Sequence, residues 1–186
     1  SVDDGKSTLI GHILYDSKLL YADQEKALEL DSKVGSREGK IDYSLLLDGL
    51  MAEREQGITI DVAYRYFTTD NRSFIVADTP GHEDFSEDTY RTLMAADSAV
   101  MVIDASKGVE KQTIKLFKVC VMRHIPIFTF INKMDREAND PFELLDEIES
   151  VLGIATCPIN WPIGCGKEFK GVYDRKEKNV SLFKAA

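Results

Sequence analysis

The sequence is short of basic residues relative to acidic ones. Its 186 residues contain 23 lysines and arginines against 32 aspartates and glutamates, which gives a formal net charge of −9. A protein that binds DNA or an anionic membrane through its own surface needs a dense basic patch. We therefore expect no direct DNA binding and no membrane attachment, although an RNA-containing partner could still be contacted through another surface.

Cysteines are few, no long apolar run occurs, and we expect no secretory leader. The three cysteines show no C-x-x-C spacing, which favours idle thiols in a reducing compartment over a disulfide or a metal site. No stretch of 18 apolar residues occurs, and the first residues lack the basic and apolar segments of a secretory signal. The length and the 44% hydrophobic content therefore predict a cytoplasmic, globular chain of about one domain.

The first residues contain most of a phosphate-binding loop. The pattern D-D-G-K-S-T matches the last two-thirds of G-x-x-x-x-G-K-[ST], whose backbone N–H groups surround a phosphate chain. In that pattern the lysine reaches the β- and γ-phosphate oxygens, and the hydroxyl after it ligates Mg²⁺. Apolar residues at helical spacing from Leu9 to Leu14 predict a helix, whose N-terminus would meet the phosphates. The alternative for G-K-S-T is an ordinary helix start without a phosphate site. The candidate phosphate-binding residues are Asp3, Asp4, Gly5, Lys6, Ser7 and Thr8.

Two further motifs carry groups that suit a γ-phosphate and a metal ion. Thr59, in G-I-T-I, could offer its hydroxyl to Mg²⁺ and its N–H to the terminal phosphate, or could be a plain strand residue. In D-T-P-G-H, Asp78 could orient a Mg²⁺-bound water, and Gly81 allows its own N–H to approach a phosphate. His82 could position an attacking water. The alternatives for this motif are a turn and a surface histidine.

The fourth motif, N-K-M-D, has the chemistry to read guanine. The Asp135 carboxylate can accept hydrogen bonds from both N1–H and N2–H₂ of guanine, a donor pair that adenine lacks. Asn132 would tie loops together and touch the base, and the stem of Lys133 could lie over its face. The four motifs follow predicted strands or precede helices, at the edge where open α/β sheets bind ligands. Together they predict a site for GTP or GDP.

Alternating polarity predicts an antiparallel hairpin in the first half of the chain. Residues 58–66 alternate, with Tyr64 and Tyr66 predicted on the buried face and Arg65 on the other. A turn then leads to a second strand at 73–77.

Strands and helices alternate in the second half. Apolar strands are predicted at 99–103 and 127–131, with a helix at 112–122 between them. A further helix follows Asp140, with Val151 in its apolar stripe. This order is typical of an α/β fold, in which helices cover both faces of a mostly parallel sheet, here with one antiparallel edge strand.

The motifs resemble the GTPase domain of translation factors and their relatives, a P-loop NTPase G domain, over essentially the whole chain. Up to about His82 the sequence resembles the GTPase subunit of bacterial sulfate adenylyltransferase, with S-V-D-D-G-K-S-T-L-I-G and D-G-L-M-A-E-R-E-Q-G-I-T-I-D-V-A. From His82 onward it is similar to bacterial peptide chain release factor 3, with G-H-E-D-F-S-E-D-T-Y-R-T-L-M-A-A-D and I-N-K-M-D-R-E. The change falls within D-T-P-G-H, which both families contain, so we expect a hybrid joined there.

The resemblance implies an enzyme that hydrolyses GTP to GDP and phosphate, mainly by positioning and electrostatic stabilisation. The implied catalytic residues are Lys6, Thr59 and His82. The implied metal ligands are Ser7, Thr59 and, through water, Asp78. The implied nucleotide-binding residues are Asp3, Asp4, Gly5, Lys6, Ser7, Thr8, Asp78, Gly81, Asn132, Lys133 and Asp135.

The two resemblances imply different partners. The release-factor resemblance implies the ribosome and class I release factors in translation termination, whereas the other implies the catalytic subunit of sulfate adenylyltransferase. A non-hydrolysing nucleotide-binding fragment is a third alternative. The family's first strand would precede Ser1 and its last elements would follow, so we expect an incomplete G domain at 1–153 and the beginning of an inserted subdomain at 154–186. Such a fragment is expected to be poorly stable.

Overall fold

The computed structural model describes residues 5–17, 62–80 and 87–183. The chain divides into two compact units, Val2–Ala95 and Ala96–Ala186, the second of which also takes Ser1. Five of the predicted site residues lie outside the described residues: Asp3, Asp4, Thr59, Gly81 and His82. None of the helices in the described ranges is long and apolar enough to cross a membrane.

The described part of the first unit contains a helix, a hairpin and a second helix. Helix α1 (Lys6–Asp16) is followed by strands β1 (Ala63–Thr68) and β2 (Ser73–Asp78) and by helix α2 (Glu87–Ala95). Strands β1 and β2 pair antiparallel in the predicted hairpin.

The buried face of β1 is the opposite of the one predicted. Alternation is present, but Tyr64 and Tyr66 are 48% and 66% exposed, whereas Arg65 and Phe67 are half-buried. The reason is tertiary: Phe67 packs against the buried side chains of α1, Ile10 and Leu14. Periodicity marks two faces of a strand, and the position of the helix decides which face is covered.

The second unit is built on parallel strands. Strand β3 (Ala99–Asp104), helix α3 (Lys111–Met122), strand β4 (Ile127–Asn132) and helix α4 (Pro141–Leu152) follow one another. The two strands pair parallel, as predicted. The core cluster here contains Ile103, Phe117, Ile148 and Leu152.

Helix α4 is bounded by the residues that the sequence predicts. The Asp140 carboxylate accepts a hydrogen bond from the Phe142 N–H at 2.9 Å, and Gly153 ends the helix with a φ of 67°. Leu144 and Ile148 are buried, but Val151 is 46% exposed. Its place in the predicted apolar stripe is therefore wrong, because it lies at the edge of the helix face that α3 and β3 cover.

A small antiparallel sheet completes this unit. Strands β5 (Asn160–Ile163), β6 (Gly171–Asp174) and β7 (Asn179–Leu182) pair in chain order. The connection between β5 and β6 packs onto the region after β4: the Gly166 N–H donates to the Met134 carbonyl at 2.8 Å. A subdomain that begins at residue 154 stays a prediction.

Gly164, directly after β5, lies where a side chain does not fit. Its φ is +75°, and an added Cβ would overlap the carbonyl oxygen of Glu168. We expect Gly164→Ala to lower the free energy of unfolding by roughly 2–5 kcal/mol, from backbone strain plus overpacking. Gly153→Ala is the control, because its φ is +67° with nothing within 4 Å of the added Cβ, so that only about 1 kcal/mol is expected. Urea denaturation measures both, and equal losses would contradict this prediction.

Candidate functional site

The predicted phosphate loop leads directly into α1. Gly5 precedes the helix in the left-handed conformation, with φ 84° and ψ 24°, and its carbonyl accepts from the Leu9 N–H at 2.9 Å. Glycine suits this backbone conformation because it has no Cβ. Lys6 and Ser7 therefore occupy the first turn, where backbone N–H groups without helical partners and the helix dipole favour an anion.

The first unit brings three of the predicted residues together. The Ser7 hydroxyl donates to Asp78 Oδ2 at 3.0 Å, and Lys6 Nζ donates to the carbonyl of Thr79 at 2.8 Å. Asp78 is 4% exposed at the end of β2. Residues separated by about 70 positions in sequence thus meet at the start of a helix and the end of a strand.

The donor set at this point fits Mg²⁺. A serine hydroxyl and a carboxylate supply the oxygen ligands that a small hard cation prefers. Within the described ranges no group of three His, Cys, Asp or Glu residues could hold a metal. Mg²⁺ commonly uses few protein ligands together with waters and substrate phosphates, so that a hydroxyl beside one carboxylate is sufficient.

The N-K-M-D motif, which the sequence predicts to read guanine, begins at the end of β4 in the second unit. Asn132 is the last residue of β4, and its carbonyl accepts from the Ala105 N–H at 3.0 Å. Lys133 has a φ of +65°, which is uncommon for a residue other than glycine. Asp135 is exposed. These residues and the Lys6–Asp78 group belong to different units.

The structure adds Asp104, which the sequence reasoning missed. Its carboxylate lies 2.8 Å from Lys133 Nζ, with side chains only 4% and 19% exposed. It also accepts from the N–H and the hydroxyl of Ser106, at 2.9 and 2.6 Å. A signal was available, because Asp104, like Asp78, directly ends an apolar strand.

The ionised state of Asp104 is strongly favoured. Burial by itself raises the pKa of this carboxyl, but the hydrogen bonds from Lys133 and Ser106 outweigh burial and lower the pKa from 3.8 to about 2. The carboxylate is therefore charged at neutral pH.

This pKa predicts an acid-dependent contribution to stability. A depressed folded-state pKa stabilises the fold above about pH 4, and the contribution is lost as the pH falls toward 2. We expect wild type to exceed Asp104→Asn by roughly 2 kcal/mol in free energy of unfolding at pH 7, and by about half as much at pH 3. Urea denaturation at both values measures this difference. A difference that does not change with pH would contradict the assignment.

Known proteins resemble this chain over nearly its whole length. A family model described as the elongation factor Tu GTP binding domain matches residues 1–185. Peptide chain release factor 3 from Staphylococcus aureus strains JH9 and COL is 53% identical over 182 residues, covering 98% of this chain and 33% of each relative. A crystal structure from Thermus thermophilus matches with a TM-score of 0.76 at 22% identity, covering 98% of this chain and 25% of that one.

The chain thus spans about a third of the length of the curated relatives it matches. The likeness to the solved structure shows a shared fold, and with the family match it confirms the predicted P-loop α/β architecture. The resemblance of residues 1–82 to a sulfate adenylyltransferase subunit, and the join within D-T-P-G-H, stay predictions. Since the family model matches residues 1–185 of a chain of 186, the chain belongs to the elongation factor Tu GTP-binding domain family.

Proposed function

We propose that this protein binds GTP and hydrolyses it to GDP and phosphate, as a translational GTPase of the release factor 3 type. The observation that carries the proposal is the contact between Ser7, at the start of α1, and Asp78, at the end of β2, at 3.0 Å. This contact lies in a chain whose family is defined by a GTP-binding domain. The 53% identity to release factor 3 supports the specific type.

The phosphate chain is proposed to bind at the first turn of α1. The backbone N–H groups of residues 3–8 and the Lys6 ammonium would hold the β- and γ-phosphates. Lys6 already lies beside the D-T-P-G motif, because its ammonium donates to the Thr79 carbonyl. This placement supports a role of Lys6 next to the γ-phosphate.

Ser7 and Thr59 would hold Mg²⁺ directly, and Asp78 through water. When bound there, the ion neutralises charge on the β- and γ-phosphate oxygens. The Ser7–Asp78 contact supports this role, because it brings a hydroxyl oxygen and a carboxylate oxygen, both suitable ligands for Mg²⁺, within 3.0 Å of each other.

Hydrolysis is proposed to depend on positioning rather than on covalent chemistry. His82 would orient the attacking water, while the N–H groups of Thr59 and Gly81 would contact the γ-phosphate. These three residues lie outside the described residues, so their roles are proposed from the motifs. Lys6 would stabilise the charge that develops on the phosphate oxygens.

Guanine selection is proposed for the motif after β4. Asp135 would accept from N1–H and N2–H₂ of the base, Asn132 would hold the loops, and the Lys133 stem would cover the base. The exposed position of Asp135 supports its proposed role in binding the base.

The proposed partners are the ribosome and class I release factors, in the cytoplasm. They are proposals because the chain spans only 33% of the release factor 3 relatives. The second candidate function, regulation of sulfate adenylyltransferase, rests on the motifs of residues 1–82. The third, a nucleotide-binding module without hydrolysis, differs from both in its lack of turnover.

Titration of the protein with fluorescent GDP, GTP and ATP, with Mg²⁺ or with EDTA, tests the proposal. We expect guanine nucleotides to bind at least about 100-fold more tightly than ATP, since adenine lacks the pair of donors that the Asp135 carboxylate would accept from. We expect GTP binding to weaken in EDTA. Equal affinity for GTP and ATP, or no binding of either, would overturn the assignment.

Phosphate release then separates the three candidate functions. Stimulation of GTP turnover by ribosomes, by a factor that can reach about 10³–10⁵ when a partner completes such a site, supports the release-factor type. Stimulation only by the catalytic subunit of sulfate adenylyltransferase supports the second candidate. GTP binding without hydrolysis, in the presence of either partner, supports a nucleotide-binding module.

A further inference from the structure

We propose that Asp104 is a positioning residue for guanine recognition, which acts by holding the Lys133 side chain in place where the base binds. The inference rests on the proposed function. Asp104 touches no nucleotide group in this scheme. Its effect passes through Lys133, whose ammonium it contacts at 2.8 Å.

The two residues end neighbouring parallel strands. Asp104 is opposite Asn132 in the register of β3 and β4, and Lys133 follows Asn132. With its ammonium held at the end of β3, the four-carbon stem of Lys133 has to reach from one strand end to the next. A lysine side chain that is held in this way presents its methylene stem rather than its charge. An apolar stem is the surface on which a flat base can lie.

The carboxylate is itself held rigidly. Ser106 donates to Asp104 Oδ1 from both its N–H and its hydroxyl, while Lys133 contacts Oδ2. The Asp104 carbonyl accepts from the N–H groups of Lys107 and Gly108 at 3.0 and 2.9 Å. Asp104 is therefore the first residue of a tight turn, and its side chain has little freedom to follow a moving lysine.

Backbone hydrogen bonds also hold Asp104 and Lys133 in fixed positions relative to each other. The Ala105 N–H donates to the Asn132 carbonyl, and the Asn139 N–H donates to the Ala105 carbonyl, both at 3.0 Å. The turn after β3 and residues 132–139 are thus joined at three places, two through backbone and one through the ion pair. Lys133 keeps a left-handed φ of +65° within this arrangement. Such a conformation persists where the surroundings determine it strongly.

Asp104→Asn tests the inference, because it preserves the shape of the side chain and removes its charge. We expect the affinities for GDP and for IDP, which lacks the 2-amino group, to fall about tenfold each. The GDP-to-IDP ratio should stay unchanged, because Asp135 and not Lys133 reads that amino group. Asp174→Asn is the matched control: Asp174 likewise ends a strand, and its carboxylate accepts from the backbone N–H groups of Lys176 and Glu177 at 2.9 Å each. It should bind GDP as wild type does.

A second comparison separates positioning from a general loss of structure. Lys133→Ala should weaken GDP binding, and adding Asp104→Asn to it should cause no further loss, because the lysine that Asp104 positions is gone. If Asp104 only stabilised the fold, its replacement would cost the same in both backgrounds. Ser106→Ala, which removes the 2.6 Å hydroxyl bond to the carboxylate, gives a milder variant with an expected loss of about twofold to threefold.

The outcomes distinguish this inference from the proposed function. If wild type binds no guanine nucleotide, both are overturned. If wild type binds GDP and Asp104→Asn binds it equally well, only the positioning role is overturned. Additive losses in the double variant, or a changed GDP-to-IDP ratio, would also exclude action through Lys133. Should Asp104→Asn not fold, Ser106→Ala decides, and an affinity equal to that of wild type would contradict the inference.

Discussion

Asp135→Asn is expected to lower the affinity for GTP and GDP by about 10²–10⁴, through the loss of two charge-assisted hydrogen bonds. The carboxylate accepts from N1–H and N2–H₂ of guanine, whereas a carboxamide brings an N–H₂ group against one of these donors. The exposed position of Asp135 after β4 agrees with direct contact to a ligand. This is the largest effect that we expect from a neutral, nearly isosteric substitution in the chain.

The same substitution should improve binding of a different base. Xanthine has an oxygen where guanine has its 2-amino group, so that the new carboxamide can donate to it. We therefore expect the preference of Asp135→Asn to move from GDP to XDP, while ADP stays weak for both proteins. Displacement titrations against a fluorescent nucleotide measure all three. Asp174→Asn is again the control, and GDP binding by Asp135→Asn that matches wild type would contradict the guanine-reading role.

Lys6→Ala is expected to lower the affinity for GTP by about 10²–10⁴, because its ammonium would bond two phosphate oxygens through charge-assisted hydrogen bonds. Lys6 is the first residue of α1, next to Gly5 in the left-handed conformation. The loss should be larger for GTP than for GMP, which lacks the β- and γ-phosphates. Calorimetric titration with the two nucleotides measures the difference.

Lys111→Ala provides a matched control for the loss of Lys6. Lys111 is the first residue of α3, and it is exposed, so that its removal takes the same charge from the same helix position. It should bind GTP as wild type does. The Lys6 variant also loses the bond to the Thr79 carbonyl, so its thermal unfolding has to be recorded. A folded Lys6→Ala protein with unchanged GTP affinity would overturn the phosphate-binding role.

Much of the local architecture could be predicted from the sequence, because it depends on neighbouring residues. Asp140 and Gly153 bound α4 through cap chemistry that acts within one turn. The hairpin and the parallel pair follow from polarity patterns and from strand–helix alternation. Because ligands bind at the carboxyl ends of strands, the sequence also predicted that the motifs of Asp78 and Ser7 lie at the same edge of the sheet. The structure shows these two side chains in contact.

The sequence by itself therefore determined α1, the hairpin and the alternation of β3, α3, β4 and α4, but not the small sheet of β5, β6 and β7. The tertiary structure alone decided which face of β1 is covered, since that depends on where Phe67 meets α1. It also decided that Asp104 holds Lys133, because residues 29 positions apart become neighbours only when β3 and β4 pair. Periodicity and motif spacing are properties of a short stretch of chain. Burial and ion pairing depend on which distant segment of the chain packs against a given residue in the folded protein.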